Sequence, residues 1–406
     1  MATEWTIYAA PTSAPPLASP SAAARRSAGL DALRATMVLL VVFHHAAITY
    51  GAAGGWYYRE VPTNGTLETR LLVLMCAVDQ AYFMGLLFLL AGYFTPGSLT
   101  RHGISRYANE RLLRLGVPLL VFGFVIGPIT IALAQTAKNR PFVTTLLELW
   151  TRGAFEGGPL WFALALMIFT FVFVAWRVVR SHLSGVPAAV EPRPFPSNLT
   201  LLVAAVATGT AAFALRLVWP VGTTIVSDLQ PGYFASYIVL FAAGCIAAPG
   251  QWLDHIPYRQ RRLWLIVAWI SVAFTFVNVV LARPGAGSAG GASPLGGWSV
   301  AAALYAFWEP LVAWGFIMGL VHAFQQRLPK LNATWAALAR RSYAIYIIHP
   351  PVLAGVALAW RDVPAPPLVK FVATGAAACL VCFFAAGQFL RVPGFGKVLW
   401  RQVGAA

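Results

Sequence analysis

An arginine and a histidine in the first apolar run of this chain have the types and spacing to do chemistry together. The run is Leu30 to Tyr50, LDALRATMVLLVVFHHAAITY, with Arg34 near its start and His44 and His45 deeper in. A helix turns about 100° and rises about 1.5 Å per residue. Eleven residues apart, Arg34 and His45 then sit roughly 20° apart on one face and about 16 Å apart along the axis. His44 points away from that line by roughly 80°. Histidine is the natural general base near neutral pH. Ionisable groups inside a membrane usually face a bundle interior, a cavity or a partner. The plainer account makes Arg34 a positive flank that snorkels to the headgroups, and His45 a neutral ring bonded to a neighbouring helix.

Three further groups fall within apolar runs: Asp79, Glu309 and His349. Counted from the run ends, they and His45 are expected at middle depths, where two histidines and two carboxylates would meet. A carboxylate there would fix a histidine tautomer and stabilise the imidazolium. A hydroxyl beside His45 would lose its proton while attacking a thioester or other acyl carbonyl. The developing oxyanion needs a donor, and His349 or Tyr346 could serve. Arg34, deeper on the inner side, is better placed to hold an anionic part of an acyl donor. Plainer roles exist for each. Asp79 with Gln80 makes a structural polar cluster, and Glu309, before Pro310, bonds across a kink. His349 precedes Pro350 and Pro351, which free carbonyls for a ring N–H to satisfy. Arg106, Arg111 and Arg114 follow the second run, and Arg111 and Arg114 share a helical face. Such arginines suit phosphates, or simply mark the inner side.

The elements that must position these residues are membrane helices. The chain has 406 residues, 59% of them hydrophobic and 10% charged, with a mean hydropathy of +0.70. A soluble domain carries about 25% charged residues. A spanning helix needs about 20 apolar residues. Ten runs meet that need: 31–50, 71–94, 112–134, 159–179, 198–217, 231–248, 263–281, 299–320, 341–359 and 368–389. The expected fold class is all-α, a polytopic bundle of about ten helices with both termini cytoplasmic. With the N-terminus inside, 19 basic residues fall in inner segments and nine, Arg216 among them, in outer ones. That bias fits the positive-inside rule. The net charge of +16 lies in these loops, so nucleic acid is not an expected partner, whereas membrane lipids are. Residues 1–29 read as a disordered cytoplasmic tail, 30–390 as the membrane domain and 391–406 as a short cytoplasmic tail. The Pro-rich segment 183–197 and the Gly-rich segment 282–298 read as linkers. Cys76, Cys245, Cys379 and Cys382 lack metal-site spacing, and no metal is expected.

Several motifs resemble those of the membrane acyltransferase-3 family. LDALRATMVLLVVFHH resembles its signature of an arginine, ten residues and a histidine, which selects Arg34 and His45. LLFLLAGYFTPGS resembles a second element, with Ala91 where serine is commoner. YANERLLRLGVP, containing Arg111 and Arg114, and GGPLWFALALM resemble two more. RRSYAIYIIHPPVL resembles a late Ser-Tyr-x-x-Tyr-x-x-His-Pro element, with His349 as its histidine. The resemblance covers residues 30 to about 390 and is nearest the single-domain branch that includes glucan-succinylating proteins. It implies an acyl-CoA donor from the cytoplasm, used as a substrate and not as a bound cofactor. It implies a hydroxyl acceptor on a sugar, glycan, glycolipid or small molecule, His45 as base and Arg34 orienting the donor. Arg111 and Arg114, with Arg106 nearby, would suit the CoA phosphates. The expected location is a bacterial inner membrane. The acyl group, acetyl or succinyl, is left open, as is assembly into a homodimer.

Two other readings fit the same residues. A secondary transporter would use the buried histidines and acids as a proton relay. No internal repeat of the transporter kind is visible in the chain. An export subunit that only passes a modified glycan would leave His45 without a chemical role.

Overall fold

The computed structural model describes residues 22–184, 191–281 and 293–391. The described residues are helical, with no strand among them. Ten stretches are long and apolar enough to cross a bilayer, the expected number. The chain runs α1 (Ala22–Thr49), α2 (Leu67–His102), then a composite third span. That span is α3 (Ile104–Arg111), α4 (Val117–Val121) and α5 (Gly127–Gln135), joined by π-helical turns at Leu112–Gly116 and Phe122–Ile126. A short helix α6 (Phe142–Thr151) precedes α7 (Trp161–Ser184), α8 (Asn198–Val218) and α9 (Phe234–Ala247). The last four are α10 (Tyr258–Leu281), α11 (Val300–Arg327), α12 (Ala333–Ala359) and α13 (Pro367–Phe389). Most of the expected terminal tails and of the Gly-rich linker lie outside the described residues.

Side-chain caps start several of these helices. Ser197 Oγ accepts from Thr200 N at 3.1 Å, Ser299 Oγ from Ala302 N at 3.1 Å, and Asn332 Oδ1 from Trp335 N at 2.9 Å. Each satisfies one of the amide donors that a helix start leaves free. Several boundaries extend beyond the expected runs, and two of them bear on the site. Helix α1 begins at Ala22, before the apolar run. Helix α2 does not stop at its Gly92–Pro96 region but continues to His102, where Gly103, at φ 71°, ends it. A proline removes one rung of the ladder, and the neighbouring threonine hydroxyls bond into the backbone there. Thr95 Oγ1 donates to Ala91 O at 2.8 Å and Thr100 Oγ1 to Pro96 O at 3.0 Å.

Helix α1 is the hub. It packs on α2, α11, α12 and α13, and 67% of its apolar window is buried, against 11% for α10. The two histidines of α1 face other helices, whereas α10 turns many of its large side chains outward. Helix α2 lies close along α9. A Cβ on Gly92 would come 2.1 Å from Phe241 O, and one on Gly244 2.2 Å from Leu89 O. This approach brings the polar residues of α2 against those of α9: Gln80 Nε2 donates to Tyr237 Oη at 2.7 Å.

Candidate active site

The structure brings His45 of α1 and His349 of α12 together. His349 Nε2 lies 3.2 Å from His45 Nδ1, and the rings are 5.2 Å apart at 20°. The other nitrogen of His349, Nδ1, lies 2.7 Å from Tyr346 O. A carbonyl only accepts, so Nδ1 carries the hydrogen. In the neutral ring Nε2 then accepts, and His45 Nδ1–H donates to it. The remaining nitrogen of His45, Nε2, is left with its lone pair. Local sequence explains this tautomer. Pro350 has no N–H to bond Tyr346 O, four residues back, and the His349 ring takes that carbonyl, as the His-Pro sequence predicts. His45 stands four residues from the end of α1, about 6 Å along the axis. The pair thus lies nearer that end than the middle depth expected of it.

A tryptophan covers His45. Trp56, in the loop after α1, stacks on His45 with ring centroids 3.8 Å apart at 15°, and lies 10° from the plane of His349. Its loop is fastened on several sides. Glu60 N and Val61 N donate to Thr49 O at 2.9 and 3.1 Å. Arg59 Nη2 donates to Ala52 O and Gly54 O at 2.7 and 3.0 Å. Lys370 of α13 pairs with Glu60, and Tyr57 Oη donates to Glu156 Oε1 at 3.0 Å. Burial pushes the Tyr57 phenol up, and the Glu156 carboxylate adds to that. Burial, with Asp228 as a second cause, raises the Glu156 carboxyl.

Bonds continue from the histidines to this loop region. Tyr346 Oη donates to Pro159 O, in the turn before α7. Gly158 N of the same turn donates to Asp228 Oδ2 at 2.7 Å. Asp228 and Ser227 both hold left-handed backbone, at φ 63° and 51°, a costly conformation for non-glycine residues. The GGPLW element thus anchors α12 through backbone groups.

The two carboxylates take other partners. Asp79 faces His44, with His44 Nδ1 and Asp79 Oδ2 3.7 Å apart, and His44 stacks on Phe83 at 5.0 Å. Glu309 of α11 forms a buried ion pair with Arg216 of α8. Arg216 Nε also donates to Gly232 O at 2.9 Å, and its guanidinium lies 5.4 and 5.1 Å from the rings of Tyr233 and Tyr305. The expected meeting of two histidines and two acids is therefore corrected to a histidine pair, with each acid holding a separate partner. Expected as an outer flanking charge, Arg216 is instead 1% exposed.

Arg34 bonds Asp31 at 2.9 Å and keeps 44% of its side chain exposed. It lies about 16 Å along α1 from His45, toward the helix start. Arg106 pairs with Glu110 at 3.3 Å, and Arg111 stacks over Tyr107 at 4.9 Å. Arg114 O accepts from Tyr343 Oη at 2.8 Å. These residues follow α2, which runs back toward the end where α1 starts, so the bundle has an arginine end and a histidine end. The four cysteines are free, and no group of three metal-ligating side chains occurs among the described residues.

Sequence reasoning did not find Trp56, Tyr57, Glu156 or Asp228. Their chemistry depends on how loops fold over the helices. Arg216 carried a usable signal, since it stands inside an apolar run and not beyond it.

Comparison with known proteins adds the family. A family model described as an acyltransferase domain, the acyltransferase-3 type, matches residues 27–387. Proteins named Glucans biosynthesis protein C from Salmonella heidelberg (strain SL476), Salmonella paratyphi B and Salmonella enteritidis PT4 are each 26% identical over 273 residues. Those matches cover 62% of this chain and 66% of each relative, just short of two thirds of the relative's length. No solved structure matches the chain. With the family match running from α1 into α13 and ten helices fit to cross a bilayer, this multi-pass membrane protein belongs to the acyltransferase-3 family.

Proposed function

We propose that the protein is a membrane O-acyltransferase that moves an acetyl or succinyl group from acyl-CoA to a hydroxyl of a glycan or glycolipid. The observation that carries the reading is the His349–His45 pair, which leaves His45 Nε2 as an accepting nitrogen beside the outer loops. The acceptor hydroxyl gives its proton to Nε2 as its oxygen attacks the thioester carbonyl. His349 positions the imidazole and accepts its Nδ1–H. Arg34 orients the donor, and Arg106, Arg111 and Arg114 meet the CoA phosphates from the arginine end. Asp79 acts through His44, and Glu309 holds α11 to α8. The pantetheine arm of the donor, with the acyl group on its sulfur, lies along α1 between the arginines and His45. The relatives' name supports a glycan acceptor, and their sources support a bacterial cytoplasmic membrane with the arginine end inside.

The test is transfer of labelled acyl from acetyl-CoA or succinyl-CoA by purified protein in lipid. Loss of a general base typically costs about 10²- to 10⁴-fold in rate. His45→Ala is expected to lose at least about 10²-fold while eluting as the folded protein. Full activity in His45→Ala would overturn the proposal.

A further inference from the structure

Acyl transfer needs a hydrogen-bond donor aimed at the carbonyl oxygen as it becomes an oxyanion. The two donors expected from the sequence are already engaged. His349 uses Nδ1 on Tyr346 O, and its Nε2 faces His45. Tyr346 Oη is bonded to Pro159 O. Tyr57 Oη is given to Glu156 and Tyr50 Oη lies 2.8 Å from Thr374 Oγ1. Arg34 stands about 16 Å away along α1.

Two groups beside the base lack a hydrogen-bond partner, and one of them, His44 Nδ1, is turned toward Asp79 Oδ2, 3.7 Å away. The indole Nε1–H of Trp56 is buried and has no hydrogen-bond partner among the described residues. A buried donor without a partner is costly, and such a group in a native site calls for a reason. Trp56 also lies flat on His45, 3.8 Å away. An N–H lies in the indole plane, and the imidazole lone pair lies in a plane tilted from it by 15°. The two groups thus lie in near-parallel planes about one ring spacing apart, and a substrate that meets both edges bridges them. The loop that carries Trp56 is bonded to α1, α13 and the turn before α7, so the donor is held in place before substrate arrives. Donors fixed in advance in a dry site are the effective ones.

From these facts we infer that Trp56 is a catalytic residue whose indole N–H stabilises the oxyanion; the inference rests on the acyl-transfer reading above. The acceptor oxygen forms a bond to the thioester carbon while its proton passes to His45 Nε2. The carbonyl electron pair moves onto oxygen, which accepts the Trp56 N–H. Collapse restores the C=O, breaks the carbon–sulfur bond and releases the thiolate, which takes the proton back from His45. An ester and free CoA thiol leave.

The experiment measures CoA thiol release and ester formation in lipid, with acetyl-CoA and succinyl-CoA as donors and an alkyl glucoside as the hydroxyl probe. Wild type and His45→Ala are compared with Trp56→Phe, which keeps a ring and removes the N–H. A second variant places benzothienylalanine at position 56, an isostere with sulfur in place of N–H, so that the loop keeps its packing. Loss of one oxyanion donor costs about 10²- to 10³-fold in kcat. Both Trp56 variants are expected to show that loss, with donor KM held within a few-fold. The acid limb of the kcat/KM pH profile stays in place, because His45 remains stacked. A merely structural tryptophan would move KM or that limb instead. If wild type transfers, His45→Ala does not, and the isostere keeps kcat within tenfold, the oxyanion role is overturned and the acyl-transfer reading stands. If wild type transfers nothing, or His45→Ala matches it, both are overturned.

Discussion

His45 takes its orientation from a second histidine, where many general bases use a carboxylate. The sequence contains both rings in recognisable motifs, and the Pro350 that frees Tyr346 O makes the tautomer legible as well. The partners of Asp79 and Glu309 were not legible. Helical spacing correctly turned His44 away from His45, but only tertiary packing shows that Asp79 sits where His44 points. Trp56 left no trace in the pattern, because a loop tryptophan gains its meaning from the ring it lands on. Glu156 carries a prediction at this scale. Its carboxyl is raised by burial and by Asp228, so the folded chain holds a proton that the unfolded chain has released. Stability is then full below the ordinary value of 4.5 and falls as pH rises through the raised value. Glu156→Gln keeps an acceptor for Tyr57 and carries no charge. Thermal unfolding between about pH 5 and 8 is expected to show a declining melting temperature in wild type and a flatter profile in the variant.

Helix existence was legible from hydropathy, and all ten runs reappear. Helix interiors were less so, because prolines act on carbonyls four residues back and sequence does not say what takes them. Pro118 leaves Arg114 O for Tyr343 Oη, and Pro128 leaves Phe124 O for Trp150 Nε1 at 2.9 Å. Pro350 leaves Tyr346 O for His349. Each proline is thus read by a side chain from its own or another element, and the third span keeps its path despite two π-helical turns. The pairing of α8 with α11 rests on a different device. Arg216→Leu would leave Glu309 buried without its counter-ion, a change that typically costs about 3–5 kcal/mol. Replacing both residues with leucine removes the orphaned charge, so Arg216→Leu/Glu309→Leu is expected to lose much less. Thermal unfolding in one detergent, with both variants side by side, checks the order; a double variant weaker than the single one refutes it.

Across the whole molecule, an even number of crossings puts residues 22 and 391 on one face. Basic residues favour that face two to one, so the positive-inside rule predicts that it is the cytoplasmic side. Single cysteines at Ser105 and at Asn64, in a chain freed of its native cysteines, are expected to behave oppositely toward a membrane-impermeant thiol reagent. In intact cells the Asn64 position reacts and the Ser105 position does so only after lysis; the reverse would invert the bundle. The bonds that order the histidines have one more consequence. From His45 they pass to His349 and stop at Tyr346 O, a backbone carbonyl that neither stores nor forwards a proton. The route is a cul-de-sac. A proton taken up at His45 has no onward path along these bonds. On the acyl-transfer proposal, the histidine pair therefore carries no net proton across the bilayer during turnover.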